Sequence, residues 1–181
     1  MEVSGTMRAV RITGHGGPDR LESVEVAVPV PRDGEVLVRV GAVALNNTDL
    51  WTREGSYGRP GAPDALSGWR GPIDFPRIQG ADVTGRVAAV GPDAEERLVG
   101  RRVLVDPAIY DAGGPDANPV GLMGSERDGG YAEYVTVPVE RVHDVTESPL
   151  TDDQLAALPI AYGTALGMIE RGGVGEGETV V

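Results

Sequence analysis

The run Asn46-Asn47-Thr48-Asp49-Leu50-Trp51 places two amides, a hydroxyl and a carboxylate in consecutive positions, directly after a long apolar stretch. Groups of these types donate to and accept from a carbonyl, and a hydroxyl can carry a proton. The same residues suit a helix N-terminus, where Asn, Thr or Asp caps exposed backbone amides. Composition favours the cap, and the two roles are compatible. Other chemistry-bearing residue types are sparse. The chain has no Cys, and all 16 of its basic residues are Arg. Disulfides, thiolate nucleophiles, cysteine zinc sites, Schiff-base lysines and a phosphate-binding P-loop lysine are therefore excluded. His15 and His143 are the only histidines. His15 sits among turn glycines and His143 alternates in a strand, so neither is assigned a catalytic role.

Two further patterns carry less. Glu95-Glu96 and Asp152-Asp153 are neighbours in sequence, which on a helix do not share a face, so solvated surface charge is the expectation. Gly172-Gly173-Val174-Gly175-Glu176-Gly177 invites a dinucleotide reading. It fails because Glu178 stands where G-x-G-x-x-G needs its third glycine, and because it precedes a strand instead of following one. A helix-to-strand turn is the better reading.

Period-2 alternation marks the elements that must position these residues. Candidate strands are Met7–Ile12, Val24–Val28, Glu35–Val40 with an apolar continuation to Leu45, Val83–Val90, Arg102–Val105, Tyr131–Val137 and Arg141–Val145. Short strands between Gly and Pro turns predict a sandwich or small barrel, not a βαβ array. Two long stretches, Gly55–Arg77 and Pro107–Gly130, are rich in Gly and Pro and read as loops that carry function or cross the surface. Thr151-Asp152-Asp153-Gln154 has capping-box spacing. It opens a helix through Leu155, Ala156 and Leu158 that breaks at Pro159. A second helix over Tyr162–Arg171 ends at Gly172-Gly173. Thr179-Val180-Val181 reads as the opening of a buried strand in a chain that continues.

The net charge of −12, from 16 basic and 28 acidic residues, comes without a basic cluster. It argues against nucleic acid and anionic membranes as partners. No stretch approaches the roughly 20 apolar residues of a membrane span. The N-terminus lacks a signal pattern. A cytoplasmic protein is the expectation.

Taken in order, the sequence resembles the medium-chain dehydrogenase/reductase superfamily. The resemblance is carried by Met7-Arg8-Ala9-Val10, Glu35–Val40, Leu45–Leu50, Arg53–Tyr57, Phe75–Val87, Val90-Gly91, Val99–Val103, Gly129–Val135 and Gly177–Val181. It spans nearly the whole chain. It implies a mainly β fold with short helices, a GroES-like partly open β-barrel, and C-terminal helices leading into a truncated Rossmann domain. The implied division is 1–150 for the catalytic domain and 151–181 for the connecting helices and first Rossmann strand.

Zinc-dependent members of that superfamily place metal ligands where this chain has Asn46, Ala81-Asp82 and a residue near Ile160. The structural-zinc lobe would fall within Pro107–Gly130, which has no Cys. The sequence is thus similar to the zinc-free quinone oxidoreductase branch, whose Asn-x-x-Asp matches Asn46 and Asp49. The resemblance implies NADPH as cofactor, no zinc, and hydride transfer to a quinone or α,β-unsaturated carbonyl. It implies that Asn46 and Tyr57 line the pocket and donate to the carbonyl, with Thr48 as a hydroxyl relay. Asp49 holds the local loop at the pocket, Trp51 and Trp69 are candidate apolar walls, with core or loop packing an equal reading for Trp69, and Tyr162 and Thr164 face the nicotinamide or its ribose. Relative to the small quinone reductases, the chain is longer between Tyr57 and Phe75 and keeps an insertion over Asp111–Asp128. The parent is expected to be a homodimer and the fragment inactive alone. The competing readings are a non-catalytic GroES-like binding or assembly module and, less favoured, a relative of zinc alcohol dehydrogenases.

Overall fold

The fold is described by a computed structural model covering residues 3–58, 61–114 and 117–180. Its elements are β1 (Thr6–Ile12), β2 (Leu21–Ala27), β3 (Glu35–Ala44), α1 (Asn47–Glu54), β4 (Arg77–Ile78), β5 (Asp82–Val90) and β6 (Arg102–Val105). They continue with β7 (Ala108–Tyr110), β8 (Pro119–Leu122), β9 (Tyr134–Pro138), β10 (Val142–Asp144), α2 (Asp152–Ala156) and α3 (Pro159–Gly172). The strands expected from alternation are all present, shifted by a few residues at their ends. The sequence reading missed β4, β7 and β8, which are short and lack alternation.

The strands form a five-stranded sheet in the order β10-β6-β5-β3-β9, a three-stranded sheet β2-β1-β4, and the ribbon β7-β8. Every pairing is antiparallel. β3 is the hub, because it pairs with both β5 and β9 and is buried on both faces. Val36 and Val38 point into one cluster with Val83, Val87, Val103, Val105, Met123, Val135 and Val137. Leu37, between them, points the other way into Met7, Ala9, Val28 and Ile78. A strand alternates its side chains, so three consecutive apolar residues are all buried only when both faces are covered. Each fully buried side chain of this size stabilises the fold by about 1.5–3 kcal/mol.

Glycine is required where β3 and β5 approach most closely. A Cβ on Gly85 would lie 2.1 Å from the Arg39 carbonyl oxygen. The two long loops lean on each other instead of crossing the surface separately. Ser125 Oγ accepts from Trp69 N at 3.0 Å, and Glu126 accepts from Arg70 N at 2.8 Å.

The C-terminal segment follows its capping signals. Thr151 and Gln154 form the expected capping box at the start of α2. α2 ends at Ala156, short of the expected Leu158, and Pro159 opens α3 in its first turn, three residues before the expected start. A proline is well placed there because a first-turn N–H has no helical acceptor. α3 ends at Gly173, which is left-handed. Thr179 and Val180 are not in a strand, and Val181 lies outside the described residues. Asp152 departs from the expectation of free surface charge, since it accepts from Arg102 Nε at 2.6 Å. No helix among the described residues is long and apolar enough to cross a membrane.

Candidate active site

Asn46 begins the site because two independent features converge on it. It is the N-cap of α1, with extended backbone, and its side chain accepts from Thr48 N. Asp49 completes the capping box by accepting from Asn46 N at 2.9 Å. The second feature is register. β3 ends with Ala44 opposite Asp82, the first residue of β5. The chain leaving β3 therefore passes over the start of β5, and Asn46 Nδ2 donates to Asp82 Oδ2 at 3.2 Å.

The segment before β5 fastens α1 from below. Gly80 N donates to Asp49 Oδ1 at 3.2 Å, and Gln79 Nε2 donates to the Asp49 carbonyl at 2.8 Å. Asp49 is thus buried with both carboxylate oxygens occupied, which is a loop-holding arrangement. Burial raises its carboxyl above the ordinary range, opposed by the Asn46 and Gly80 N–H groups.

α1 closes at Gly55, which is left-handed, and the chain turns back along the helix. Tyr57 then reaches the first turn, with its Oη 2.6 Å from Thr48 Oγ1. Burial pushes the Tyr57 phenol above its ordinary value; the Thr48 hydrogen bond opposes this, and Asp49 and Glu126 add to it. The phenol is therefore neutral near pH 7 and can donate. Trp51 packs edge-on against Tyr57, with ring centroids 5.9 Å apart, and is half exposed. Trp69 lies on the loop pair under Arg70 and contacts none of these groups by the interactions above.

α3 meets the site at its first turn. Ile160 N donates to Asp82 Oδ1 at 2.7 Å. Tyr162 and Thr164 follow on α3 and are exposed. Asp82 is buried, and burial raises its carboxyl, opposed by the Ile160 and Asn46 donors.

The sequence reading passed over two participants. Asp82 was weighed only as a missing metal ligand, although it joins Asn46 to α3. Tyr131 has a buried Oη close enough to Asp49 and Asp82 for their charge to push its phenol upward, after burial itself. No hydrogen bond of good geometry reaches that hydroxyl among the described residues. A cavity of about 250 Å³ opens elsewhere, lined among others by Arg11, Ile78, Arg127 and Tyr134, and none of the site residues borders it. His15 Nδ1–H donates to the Thr52 carbonyl at 3.0 Å, and its ring packs edge-on against Phe75.

The positions that match zinc ligands do come together, yet they do not suit the metal. They offer an amide, a methyl group, a carboxylate already accepting two hydrogen bonds, and a backbone N–H from Ile160. Zinc takes N, S or O⁻ donors in a tetrahedral set. Among the described residues no group of three His, Cys, Asp or Glu is placed to hold a metal ion.

The alcohol dehydrogenase GroES-like domain family matches residues 32–147. The chain belongs to that family. Within the medium-chain dehydrogenase/reductase superfamily that contains this GroES-like domain, it is quinone oxidoreductase-like. It is 33% identical to human quinone oxidoreductase over 177 residues, covering 97% of this chain and 44% of that protein. It is 31% identical to the Danio rerio synaptic vesicle membrane protein VAT-1 homolog, covering 91% of this chain and 28% of that protein. A crystal structure from Sinorhizobium meliloti 1021, of a candidate alcohol dehydrogenase, superposes with TM-score 0.90 at 45% identity, covering 97% of this chain and 50% of that one. This GroES-like chain therefore spans half or less of the length of these relatives.

Proposed function

We propose that this GroES-like chain is the substrate-binding half of a zinc-independent, NADPH-dependent oxidoreductase. The reaction is hydride transfer to a quinone or an α,β-unsaturated carbonyl. Residues 1–150 form the catalytic domain, and 151–181 lead to a nicotinamide-binding domain. The observation that carries the reading is the Asn46–Asp82–Ile160 arrangement. Where zinc-dependent relatives place a metal, this chain presents a carboxamide whose second Nδ2–H has no acceptor among the described residues. The likeness to human quinone oxidoreductase supports the substrate class, and a 32% identical structure named NAD-dependent alcohol dehydrogenase supports a nicotinamide.

When bound, a reduced nicotinamide would supply the hydride. Tyr162 and Thr164, exposed on α3, would help hold it. Asn46 Nδ2 and Tyr57 Oη donate to the substrate oxygen, where negative charge develops as the hydride arrives. Thr48 Oγ1 orients the Tyr57 hydroxyl and can replace a proton that it gives up. Trp51 supplies an apolar wall, and Asp49 keeps the cap and loop in place. The chain alone does not turn over, and the parent is a cytoplasmic homodimer.

The test is to assay the two-domain protein carrying this sequence for NADPH oxidation with a panel of quinones and enones, while measuring bound zinc. Turnover without stoichiometric zinc is expected. No turnover with NADPH or NADH across the panel overturns the reading, and activity that depends on added zinc overturns its metal-free part. A stable partner complex without turnover would favour the non-catalytic module.

A further inference from the structure

A carboxamide that rotates half a turn exchanges a donor for an acceptor, so Asn46 is useful to a carbonyl only if its orientation is held. The contacts that hold it are unequal. Its Oδ1 accepts from Thr48 N at 3.5 Å, at the outer limit of a hydrogen bond, whereas Nδ2 donates to Asp82 Oδ2 at 3.2 Å. A carboxylate is acceptor-only, so it accepts the amide's nitrogen and rejects its oxygen. Asp82 is itself buried, being 2% exposed, with its other oxygen taken by Ile160 N at 2.7 Å. Rotating the carboxylate would break a bond to the first turn of α3.

We propose that Asp82 is the positioning residue that holds the Asn46 carboxamide with Nδ2 toward the substrate, itself anchored on the backbone of α3. This rests on the reading of Asn46 as a carbonyl donor. Among the described residues Asp82 pairs with no cation and accepts only from the N–H donors of Asn46 and Ile160. Its negative charge close to a developing oxyanion opposes the reaction. A purely electrostatic role thus predicts faster turnover when the charge is removed, and a positioning role predicts slower turnover.

The experiment has two arms. In this chain, the Asn46 side-chain amide is followed by ¹⁵N–¹H NMR in wild type and Asp82→Asn. The wild type is expected to show two well-dispersed protons, of which the one bonded to Asp82 exchanges slowly; in the variant both shift and that proton exchanges faster. An unchanged amide overturns the proposal. In the two-domain protein, kcat and KM are measured for Asn46→Ala, Asp82→Asn and the double variant. Asp82→Asn is expected to lower kcat about 10- to 100-fold, less than the roughly 100- to 1,000-fold of a donor lost outright, with KM within about threefold. In the Asn46→Ala background it is expected to add little, because Asp82 acts through Asn46.

Multiplying effects, or a kcat that is unchanged or raised in Asp82→Asn, overturn the positioning role. If Asn46→Ala alone leaves kcat unchanged, the carbonyl-donor reading fails first, and the positioning role with it. The exchange Asn46→Asp with Asp82→Asn controls for folding, since it keeps an N-cap acceptor and an acceptor for Ile160 N. It is expected to regain the melting temperature lost by Asp82→Asn without regaining kcat. Recovery of kcat with stability overturns the proposal.

Discussion

Thr48 Oγ1 and Tyr57 Oη lie 2.6 Å apart, joining the first turn of α1 to the chain that has just left its last. Thr48 is buried and Tyr57 is partly buried. Tyr57→Phe keeps the ring against Trp51 and removes only the hydroxyl. Expected is a fall in kcat of about 100- to 1,000-fold for the two-domain protein, the range of a lost acid–base or oxyanion donor. Stability should fall by only about 1 kcal/mol. Enone turnover and thermal melting check the two parts separately.

Asp49→Ala should act on stability first. It strips the acceptor from Asn46 N and from Gly80 N together. Losing a cap and leaving a buried N–H unpaired cost about 2–3 kcal/mol combined. A lowered denaturant midpoint with an unchanged slope is the expected result. Unchanged stability would mean that the α1 anchor is held elsewhere.

Gly85→Ala tests the close approach of β3 and β5. The added methyl would meet the Arg39 carbonyl at 2.1 Å and Val38 Cγ1 at 2.9 Å. The pairing that aligns Ala44 with Asp82 must shift to relieve it. We expect a destabilised chain whose Asn46 amide resonance also moves, although Gly85 touches no site residue in the contacts above. Amide spectra and melting curves report both.

The acid limb of stability should carry opposite contributions. Hydrogen bonds from the Thr146 side chain and backbone, and then from Arg101, lower the Asp144 carboxyl to about 2 from 3.8. A lowered carboxyl contributes stability that is full above its unfolded value and lost as pH falls through its folded one. The Asp144 share is therefore lost between about pH 4 and 2, and Asp144→Asn removes that part of the acid sensitivity. Asp49 and Asp82 are raised, so their ionisation opposes folding and their protonation on mild acidification relieves it. Carboxyl NMR titrations of the three residues check the order.

The outer face of α3 predicts self-association. Tyr162, Leu166, Met168 and Ile169 are 67%, 56%, 69% and 46% exposed. Apolar area of this kind on one helix binds dyes and other copies. Leu166→Gln with Ile169→Gln should reduce apolar-dye fluorescence and the apparent mass by light scattering. An unmodified chain that is monomeric and dye-silent would show this face to be innocuous.

Much of this protein is determined by the sequence alone, because the rules concerned act over a few residues. Alternation gives the strands, the residue types at Asn46–Asp49 and the i, i+3 spacing of Thr151 with Gln154 give the caps, and the lack of Cys and Lys removes whole chemistries. The tertiary structure decided the rest. Asn46 meets Asp82 only because β3 and β5 pair in one register, with irregularities near Leu37 and Val40 that local pattern does not specify. Tyr57 meets Thr48 only because the left-handed Gly55 folds the chain back on α1. Ile160 reaches Asp82 across 78 positions of sequence. Hydrogen bonds of that kind depend on where whole elements dock, and docking is settled by the burial of β3 on both faces, not by the residues that do the bonding.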